Sequence, residues 1–202
     1  MRKAIIHLKK KDAVLRRIIE TVGPYRMEFL EPVFSTLVRS IVYQQLSGRV
    51  ARVIYNRLLE AADTGSGLTP QAILKLTPAK LRKLGLSRQK SAYILDLARR
   101  THEGSVVFET MHQLNDQEVI EHLTAVKGIG VWTAHMFLIF ALRRTDVLPT
   151  GDLGVRMAIR KAYELSELPK PAEIEAIAGA WRPYCSIAAW YLWRSLDNEA
   201  AL

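Results

Sequence analysis

One short stretch of the chain has the residue types and spacing of a phosphate-binding turn. Val126-Lys127-Gly128-Ile129-Gly130 lies between two apolar segments and has the form of a glycine hairpin that joins two helices. Glycines allow backbone conformations closed to other residues and let the backbone approach a second molecule closely. The helix that follows begins with unpaired N–H groups and the positive end of its dipole, which together favour a phosphate oxygen. The predicted phosphate-binding residues are Lys127, Gly128, Ile129 and Gly130, with an ordinary helix–turn–helix corner as the alternative.

A carboxylate that could do chemistry follows one apolar helix later. Asp152 ends the sequence Leu-Pro-Thr-Gly-Asp and lies where another helix begins. The helix dipole and the free amides at that position favour the ionised carboxylate. A fixed negative charge can stabilise a cation that develops during a reaction and can orient a water molecule. The alternative is that Asp152 only caps its helix.

The composition of the chain suits a polyanionic partner. The 202 residues carry a formal net charge of +9, and 49% of them are hydrophobic, which is enough for a folded core. Nucleic acid is the commonest partner of a basic chain, although a basic protein without such a partner remains the alternative. Cys185 is the one cysteine, which excludes a four-cysteine iron–sulfur cluster and any cysteine-based zinc site.

The same sequence predicts an intracellular protein that does not enter a membrane. No apolar run approaches the roughly 18 residues that a transmembrane helix needs. The first residues contain neither the apolar core nor the cleavage site of a signal peptide. We therefore expect a cytoplasmic location, at the nucleoid if the source is bacterial or archaeal.

The pattern of apolar residues and helix-capping residues along the chain predicts an all-α fold with short connections. One helix is predicted to carry an apolar stripe formed by Phe34, Leu37, Val38 and Ile41. A break follows at Gln44-Gln45-Leu46-Ser47-Gly48. The stripe is predicted to continue in the next helix through Val50, Val53, Ile54 and Leu58. Helix-capping signals recur at Thr69, Thr77, Ser87 and Asn115. The segment from Trp132 to Leu142 is apolar on nearly every face and is predicted to be a buried helix. No stretch alternates as a strand does.

Three motifs together resemble the helix–hairpin–helix DNA glycosylases, and within them the alkylpurine branch of the 3-methyladenine DNA glycosylase II type. They are Gly-Val-Trp-Thr-Ala after the hairpin, Leu-Pro-Thr-Gly-Asp-Leu-Gly-Val-Arg around Asp152, and Trp-Arg-Pro-Tyr-Cys-Ser-Ile-Ala-Ala-Trp-Tyr-Leu-Trp-Arg near the C-terminus. They follow the order and spacing of that family, from about Phe34 to Arg194. The resemblance implies a monofunctional enzyme of base excision repair that flips an alkylated purine, such as 3-methyladenine or 7-methylguanine, out of duplex DNA and hydrolyses its glycosidic bond.

The resemblance also implies a domain organisation. Residues 1–202 would form one bilobal helical domain with a cleft, in which one lobe spans about 34–125. The other lobe would combine about 1–33 with 126–202, and the hairpin would be 126–130. Many relatives carry an N-terminal β-rich domain, for which the residues ahead of Phe34 are too few. Relatives that also cut the DNA backbone keep a lysine two residues after the second hairpin glycine, where this chain has Trp132, so no lyase activity is expected.

The resemblance assigns roles to particular residues. Asp152 matches the catalytic aspartate. The break in the first apolar stripe matches the family's wedge loop, and we predict Gln45, with Leu46 next to it, as the side chain that fills the space left by the flipped base. An electron-rich pocket would select a cationic alkylated base. Its predicted walls are Trp132, Met136, Leu153 and Trp193, whereas Trp181 and Trp190 are expected in the core.

Two other functions remain open from the sequence: a non-catalytic DNA-binding module, and a glycosylase for oxidised or deaminated bases. The five histidines have no metal-ligand spacing, so no side-chain metal site and no cofactor are expected. In the family the hairpin carbonyls can hold a monovalent cation. The expected partner is double-stranded DNA that contains alkylated bases, bound by a monomer.

Overall fold

The computed structural model describes residues 1–62 and 67–197, which divide into two compact units. The terminal unit combines Met1–Phe29 with the described residues from Leu138 onward, and the central unit is Leu30–Phe137. The predicted lobe boundary at residue 126 differs from this division, because the hairpin makes its contacts with the central unit. The described residues contain helices and no strand, which confirms the all-α fold class.

The helices of the terminal unit are α1 (Arg2–Lys11), α2 (Ala13–Val22), α10 (Leu153–Ala162), α11 (Pro171–Ala178) and α12 (Cys185–Asp197). In this unit α12 packs against α2 and α10. Trp181 and Trp190 are both buried in its core, as the sequence analysis expected. Cys185 is fully buried there too, and burial raises the pKa of its thiol, so the thiolate needed for reactivity is disfavoured. The terminal unit thus has a continuous core beneath the helix that Asp152 begins.

The helices of the central unit are α3 (Phe34–Tyr43), α4 (Gly48–Ala62), α5 (Pro70–Leu74), α6 (Pro78–Lys83), α7 (Arg88–His102) and α8 (Asp116–Thr124), with a 3₁₀ helix at Phe108–Gln113. Helix α9 (Val131–Phe140) follows the hairpin and continues past the boundary at Leu138. Helix α7 packs against α3, α5 and α6. It is therefore the helix around which the rest of the central unit is organised.

The predicted helix caps are present. The side chains of Thr69, Thr77 and Ser87 each accept a backbone N–H in the first turn of the next helix. Asn115 forms the predicted capping box with Glu118. These local signals mark where α5, α6, α7 and α8 begin.

The structure divides one predicted apolar stripe and exposes the start of one helix that was predicted to be buried. Val50 and Val53 lie on the exposed face of α4, because the buried stripe is formed by Ala51, Ile54 and Leu58. Helix α9 was expected to be buried throughout, but the side chains of Val131 and Trp132 in its first turn are about half exposed, at 52% and 49%. That turn follows directly on Gly130, which is exposed, although Ile129 of the hairpin is buried, and the later turns enter the core. In the described ranges no helix is long and apolar enough to cross a membrane.

Candidate active site

Asp152 is a buried acid at the start of α10, and only 8% of its surface is exposed. As the N-cap residue it accepts a hydrogen bond from the backbone N–H of Val155, with 2.8 Å between that nitrogen and Oδ1. The predicted helix cap is thus present. A capping carboxylate of this kind lies at the positive end of the helix dipole, which stabilises its negative charge.

The indole of Trp193 holds the same carboxylate from another helix. Its Nε1 donates to Asp152 Oδ1 across 2.8 Å, which brings together two residues that the sequence analysis assigned to one site. The Trp193 ring also stacks on Phe140, with centroids 5.8 Å apart and planes inclined by 20°. These two contacts fix the ring against the start of α10.

Gly154 allows this close approach. A Cβ at Gly154 would lie 3.0 Å from Trp193 Cδ1 and 3.1 Å from Asp152 Oδ1. Separations this short require one of the neighbours to move. Glycine at this position therefore lets the indole reach the carboxylate.

The hairpin rests on the ring of Tyr93 in α7. Gly128 has a φ of +81°, and a Cβ at this position would overlap the Tyr93 ring, 2.5 Å from Cε2 and closer to other ring atoms. Gly130 differs, because a Cβ there would meet no atom within 4 Å. The fold thus explains why residue 128 is glycine, whereas it leaves open space at Gly130.

A second residue of α7, Asp96, holds the hairpin backbone. Its buried carboxylate accepts the Lys127 N–H at 3.0 Å and the Arg100 Nε–H at 3.1 Å. Burial acts to raise the pKa of Asp96, but the Lys127 amide and the Arg100 guanidinium outweigh it, so the pKa lies below its ordinary value. Asp96 is therefore a charged anchor for the turn.

The predicted wedge loop between α3 and α4 is held by the same helix. Lys90 of α7 donates to the carbonyl oxygens of Val42, at 2.8 Å, and Gln44, at 2.5 Å. Burial lowers the pKa of this lysine. Gln44 in turn donates through Nε2 to the Gly128 carbonyl at 3.0 Å, so the loop and the hairpin are joined directly.

Gln45 stands out within that loop. It is exposed, and its φ of +55° lies in the left-handed region, which costs a residue with a side chain about 1–2 kcal/mol. Such strain persists when the surroundings enforce it, and it is concentrated at functional sites. Leu46 is also exposed, at 38%. Both predicted wedge candidates therefore point away from the core of the central unit.

The other predicted pocket residues belong to two different units. Trp132 and Met136 are four residues apart on α9 and so share one face of that helix, in the central unit. Leu153 follows Asp152 in the terminal unit, and its side chain is 57% exposed. Across residues 1–62 and 67–197, no group of three or more His, Cys, Asp and Glu side chains is placed to hold a metal ion.

Sequence reasoning missed the residues that position the site. They are Lys90, Tyr93 and Asp96 on α7, together with Gly154 and Phe140 in the terminal unit. Apart from Gly154, each acts through a partner distant in the chain, for example Lys90 on Val42, so no local pattern identifies it. The one available signal was the glycine two residues after Asp152, because a glycine in the first turn of a helix lowers helix propensity and calls for a packing reason.

Comparison with known proteins places the chain among DNA-repair proteins. A family model described as "HhH-GPD superfamily base excision DNA repair protein" matches residues 38–183. The DNA-3-methyladenine glycosylase 1 of Schizosaccharomyces pombe is 35% identical over 198 residues, which cover 96% of this chain and 86% of that protein. A putative DNA-3-methyladenine glycosylase of Bacillus subtilis is 30% identical over 82% of this chain and 59% of its own length.

Solved structures agree with this result. The S. pombe 3-methyladenine DNA glycosylase, in a complex with abasic DNA, superposes with a TM-score of 0.83 at 34% identity, covering 96% of this chain and 97% of that one. A DNA-3-methyladenine glycosidase from Bacillus halodurans superposes with a TM-score of 0.87 at 33% identity, over 98% and 91% of the two chains. The chain is a member of the HhH-GPD superfamily of base excision DNA repair proteins, and its relatives include 3-methyladenine DNA glycosylases. The resemblance drawn from its motifs is confirmed.

Proposed function

We propose that this chain is a monofunctional DNA glycosylase that hydrolyses the N-glycosidic bond of alkylated purines, 3-methyladenine and 7-methylguanine among them, in double-stranded DNA. The observation that carries the proposal is the buried Asp152 carboxylate, held by the Val155 amide and the Trp193 indole. The names of the relatives support the same substrate class. A module that only docked on DNA would not need a carboxylate at this position, and the Asp152→Asn variant tests that difference.

The reaction needs a fixed negative charge more than it needs an acid. When the bond between C1′ and the base nitrogen breaks, the base leaves with the electron pair and the sugar gains oxocarbenium character. The Asp152 carboxylate stabilises that cation electrostatically and orients a water molecule. The water oxygen bonds to C1′ and its proton is released. A purine alkylated at N3 or N7 is already cationic and leaves as a neutral base, so little protonation is required.

Aromatic rings supply the selectivity in this proposal. A cationic base stacked on an electron-rich ring is stabilised by about 0.5–2 kcal/mol, depending on how far it is desolvated. Trp132 and Trp193 are the proposed aromatic walls of the base pocket. Met136 and Leu153 are its proposed aliphatic lining.

The central unit would hold the DNA. We assign phosphate binding to the hairpin from Lys127 to Gly130, where the open space at Gly130 allows the backbone amides to approach a phosphate closely. Gln45 is proposed as the side chain that fills the space left in the duplex by the flipped base, with Leu46 beside it. The strained φ of Gln45 and the anchoring of its loop by Lys90 support this role.

The proposal includes neither a lyase step nor a cofactor. A Schiff-base lyase needs an amine nucleophile, and residue 132 is tryptophan where lyases of this family have lysine. Water is the proposed nucleophile, so base release should continue in EDTA. We expect the enzyme to act as a monomer on intracellular DNA. Light scattering after size exclusion tests the monomer.

A panel of lesion duplexes tests the proposal. We expect release of 3-methyladenine and 7-methylguanine from labelled duplexes, with abasic sites that stay uncut until alkali is added. Release of 8-oxoguanine or uracil alone would assign the chain to the repair of oxidised or deaminated bases. Binding without any base release would make it a docking module.

The matched variants are Asp152→Asn and Asp12→Asn. Asp12 also caps a helix, α2, and its carboxylate also accepts an indole N–H, from Trp181 at 2.8 Å. Asparagine caps a helix as well as aspartate does, so Asp152→Asn should fold with its hydrogen bonds to Val155 and Trp193 intact. In Asp12→Asn the new NH2 group faces the Trp181 N–H, so this control should fold with a lower urea midpoint. Only Asp152→Asn should abolish excision. Equal activity of the two variants would remove the catalytic assignment.

A further inference from the structure

A second face of α7, of which only Asp96 has a role above, carries basic side chains near both of its ends. Arg88, Ser91, Ala92, Leu95, Asp96 and Arg99 have the spacing of one helical face, and they line a groove of about 530 Å³. Arg82 from α6 and Lys127 from the hairpin complete the lining. The four basic side chains, those of Arg82, Arg88, Arg99 and Lys127, are all exposed. We call this feature the α6–α7 groove.

Within the described part of the chain, no acid neutralises the charge of the α6–α7 groove. Over the described ranges, none of its four cations forms an ion pair with a carboxylate. The single acid in the lining, Asp96, is buried and already bonded to Arg100 and to the Lys127 amide. The groove is therefore a surface of net positive charge with unused guanidinium donors, which bind phosphate oxygens well because the planar group can donate two hydrogen bonds at once.

The dimensions of this face of α7 fit a nucleic acid strand. Arg88 and Arg99 are eleven residues apart, which is about 16 Å along a helix that rises 1.5 Å per residue. This length matches the rise of about five nucleotides along B-DNA at 3.4 Å each. Lys127 lines the groove and also precedes the hairpin glycines, so one strand could pass from the hairpin into the groove.

From these observations we propose that the α6–α7 groove is a second phosphate-binding track, which holds the DNA backbone beyond the hairpin and binds undamaged and damaged duplex alike. The inference rests on the proposed function only in taking DNA as the partner. The track would contribute to searching and docking and would have no part in breaking the glycosidic bond. Its three arginines, Arg82, Arg88 and Arg99, are thus predicted to act on affinity alone.

Salt dependence measures phosphate contacts directly. The slope of log K against log salt concentration changes by about 0.9 for each phosphate contact on B-DNA. The groove variant replaces Arg82, Arg88 and Arg99 with glutamine in one protein. Its affinity for an undamaged duplex is measured by fluorescence anisotropy at salt concentrations from about 50 to about 300 mM KCl. The slope is negative, and its magnitude should fall by about 2.7. The single-turnover excision rate at saturating enzyme should stay within about twofold of the wild type.

A charge-matched control separates this track from a general loss of positive charge. Lys3, Lys10 and Arg17 are exposed residues of the terminal unit, and their joint replacement with glutamine also removes three charges. The control should keep the wild-type slope. Arg88→Gln alone, with a predicted fall of about 0.9, serves if the triple variant does not fold.

Two results would overturn the inference: an unchanged slope in the groove variant, or an equal fall in the groove variant and the control. Because the duplex is undamaged, neither result depends on whether the wild type releases any base. Failure of the proposed function is therefore read from the lesion panel, and failure of the track from the salt slope.

Discussion

Replacing Gly128 with alanine should destabilise the protein far more than the same change at Gly130, two residues away. At Gly128 the φ of +81° alone costs an alanine about 1–2 kcal/mol. The new Cβ would also lie 2.5 Å from Tyr93 Cε2, and carbon atoms pack at about 3.5–4.0 Å, so the ring must move by about 1 Å or more. Forced overpacking of this kind costs about 1–3 kcal/mol.

The two contributions predict a loss of about 2–5 kcal/mol in the free energy of unfolding for Gly128→Ala. At Gly130 a Cβ meets nothing within 4 Å, and the Gly130 carbonyl accepts the first hydrogen bond of α9, at 3.1 Å. Its replacement changes only the helix start, where alanine costs about 1 kcal/mol or less relative to glycine. Urea unfolding followed by circular dichroism measures both variants, and equal midpoints would refute this account of the hairpin.

A double-mutant cycle separates the two causes. In a Tyr93→Ala background the overlap disappears, so Gly128→Ala should cost only the backbone contribution of about 1–2 kcal/mol. The coupling between the two positions should then be about 1–3 kcal/mol. A coupling near zero would show that the Tyr93 ring does not restrict residue 128.

Three further predictions concern the residues that position the site. Gly154→Ala should favour the helical state of α10 by about 1 kcal/mol, because alanine is the better helix former. The new Cβ should also displace the Trp193 indole from Asp152 and so slow single-turnover excision. We therefore expect a slower rate without a lower urea midpoint. Lys90→Met leaves two backbone carbonyls of the wedge loop without their donor, so we expect the free energy of unfolding to fall by about 1–3 kcal/mol. We also expect weaker binding to a duplex that contains an abasic analogue. Unchanged affinity would contradict the role of Lys90 in holding the wedge loop. Burial lowers the pKa of His135, so the unfolded chain binds a proton at this residue more readily than the folded protein does. The free energy of unfolding should therefore fall as the pH drops below about 6.5. His135→Gln should lose less stability between about pH 7 and about pH 5, and identical pH profiles of the two proteins would contradict this.

The sequence predicted the features whose cause is local. The caps at Thr77 and Asn115 lie within three residues of the amides they bind, and the turn at Gly128 follows from glycine chemistry. The fold class and the choice of Asp152 also came from the sequence, the latter from a motif. In contrast, Val50 and Val53 were predicted to continue the apolar stripe with Ile54 and Leu58, yet only the latter two are buried. Periodicity identifies an apolar stripe without fixing which edge of it faces the core.

The supports of the site could not be predicted, because they join residues that are far apart in the chain. Lys90 lies 46 residues from Gln44, and Trp193 lies 41 residues from Asp152. Neither pair leaves a local pattern, and a lysine in an amphipathic helix is ordinarily a solvated residue. Only the packing of α7 against α3, and of α12 against α10, shows what these side chains hold.

The central claim is that the Asp152 charge drives base release. Single-turnover excision of 3-methyladenine from a duplex, measured for the wild type, Asp152→Asn and Asp12→Asn at equal DNA occupancy, tests it most directly. The account predicts that Asp152→Asn binds the duplex and has the wild-type urea midpoint, but excises at least about a hundredfold more slowly, whereas Asp12→Asn excises at the wild-type rate. A folded Asp152→Asn protein that excises as fast as the wild type would contradict the account.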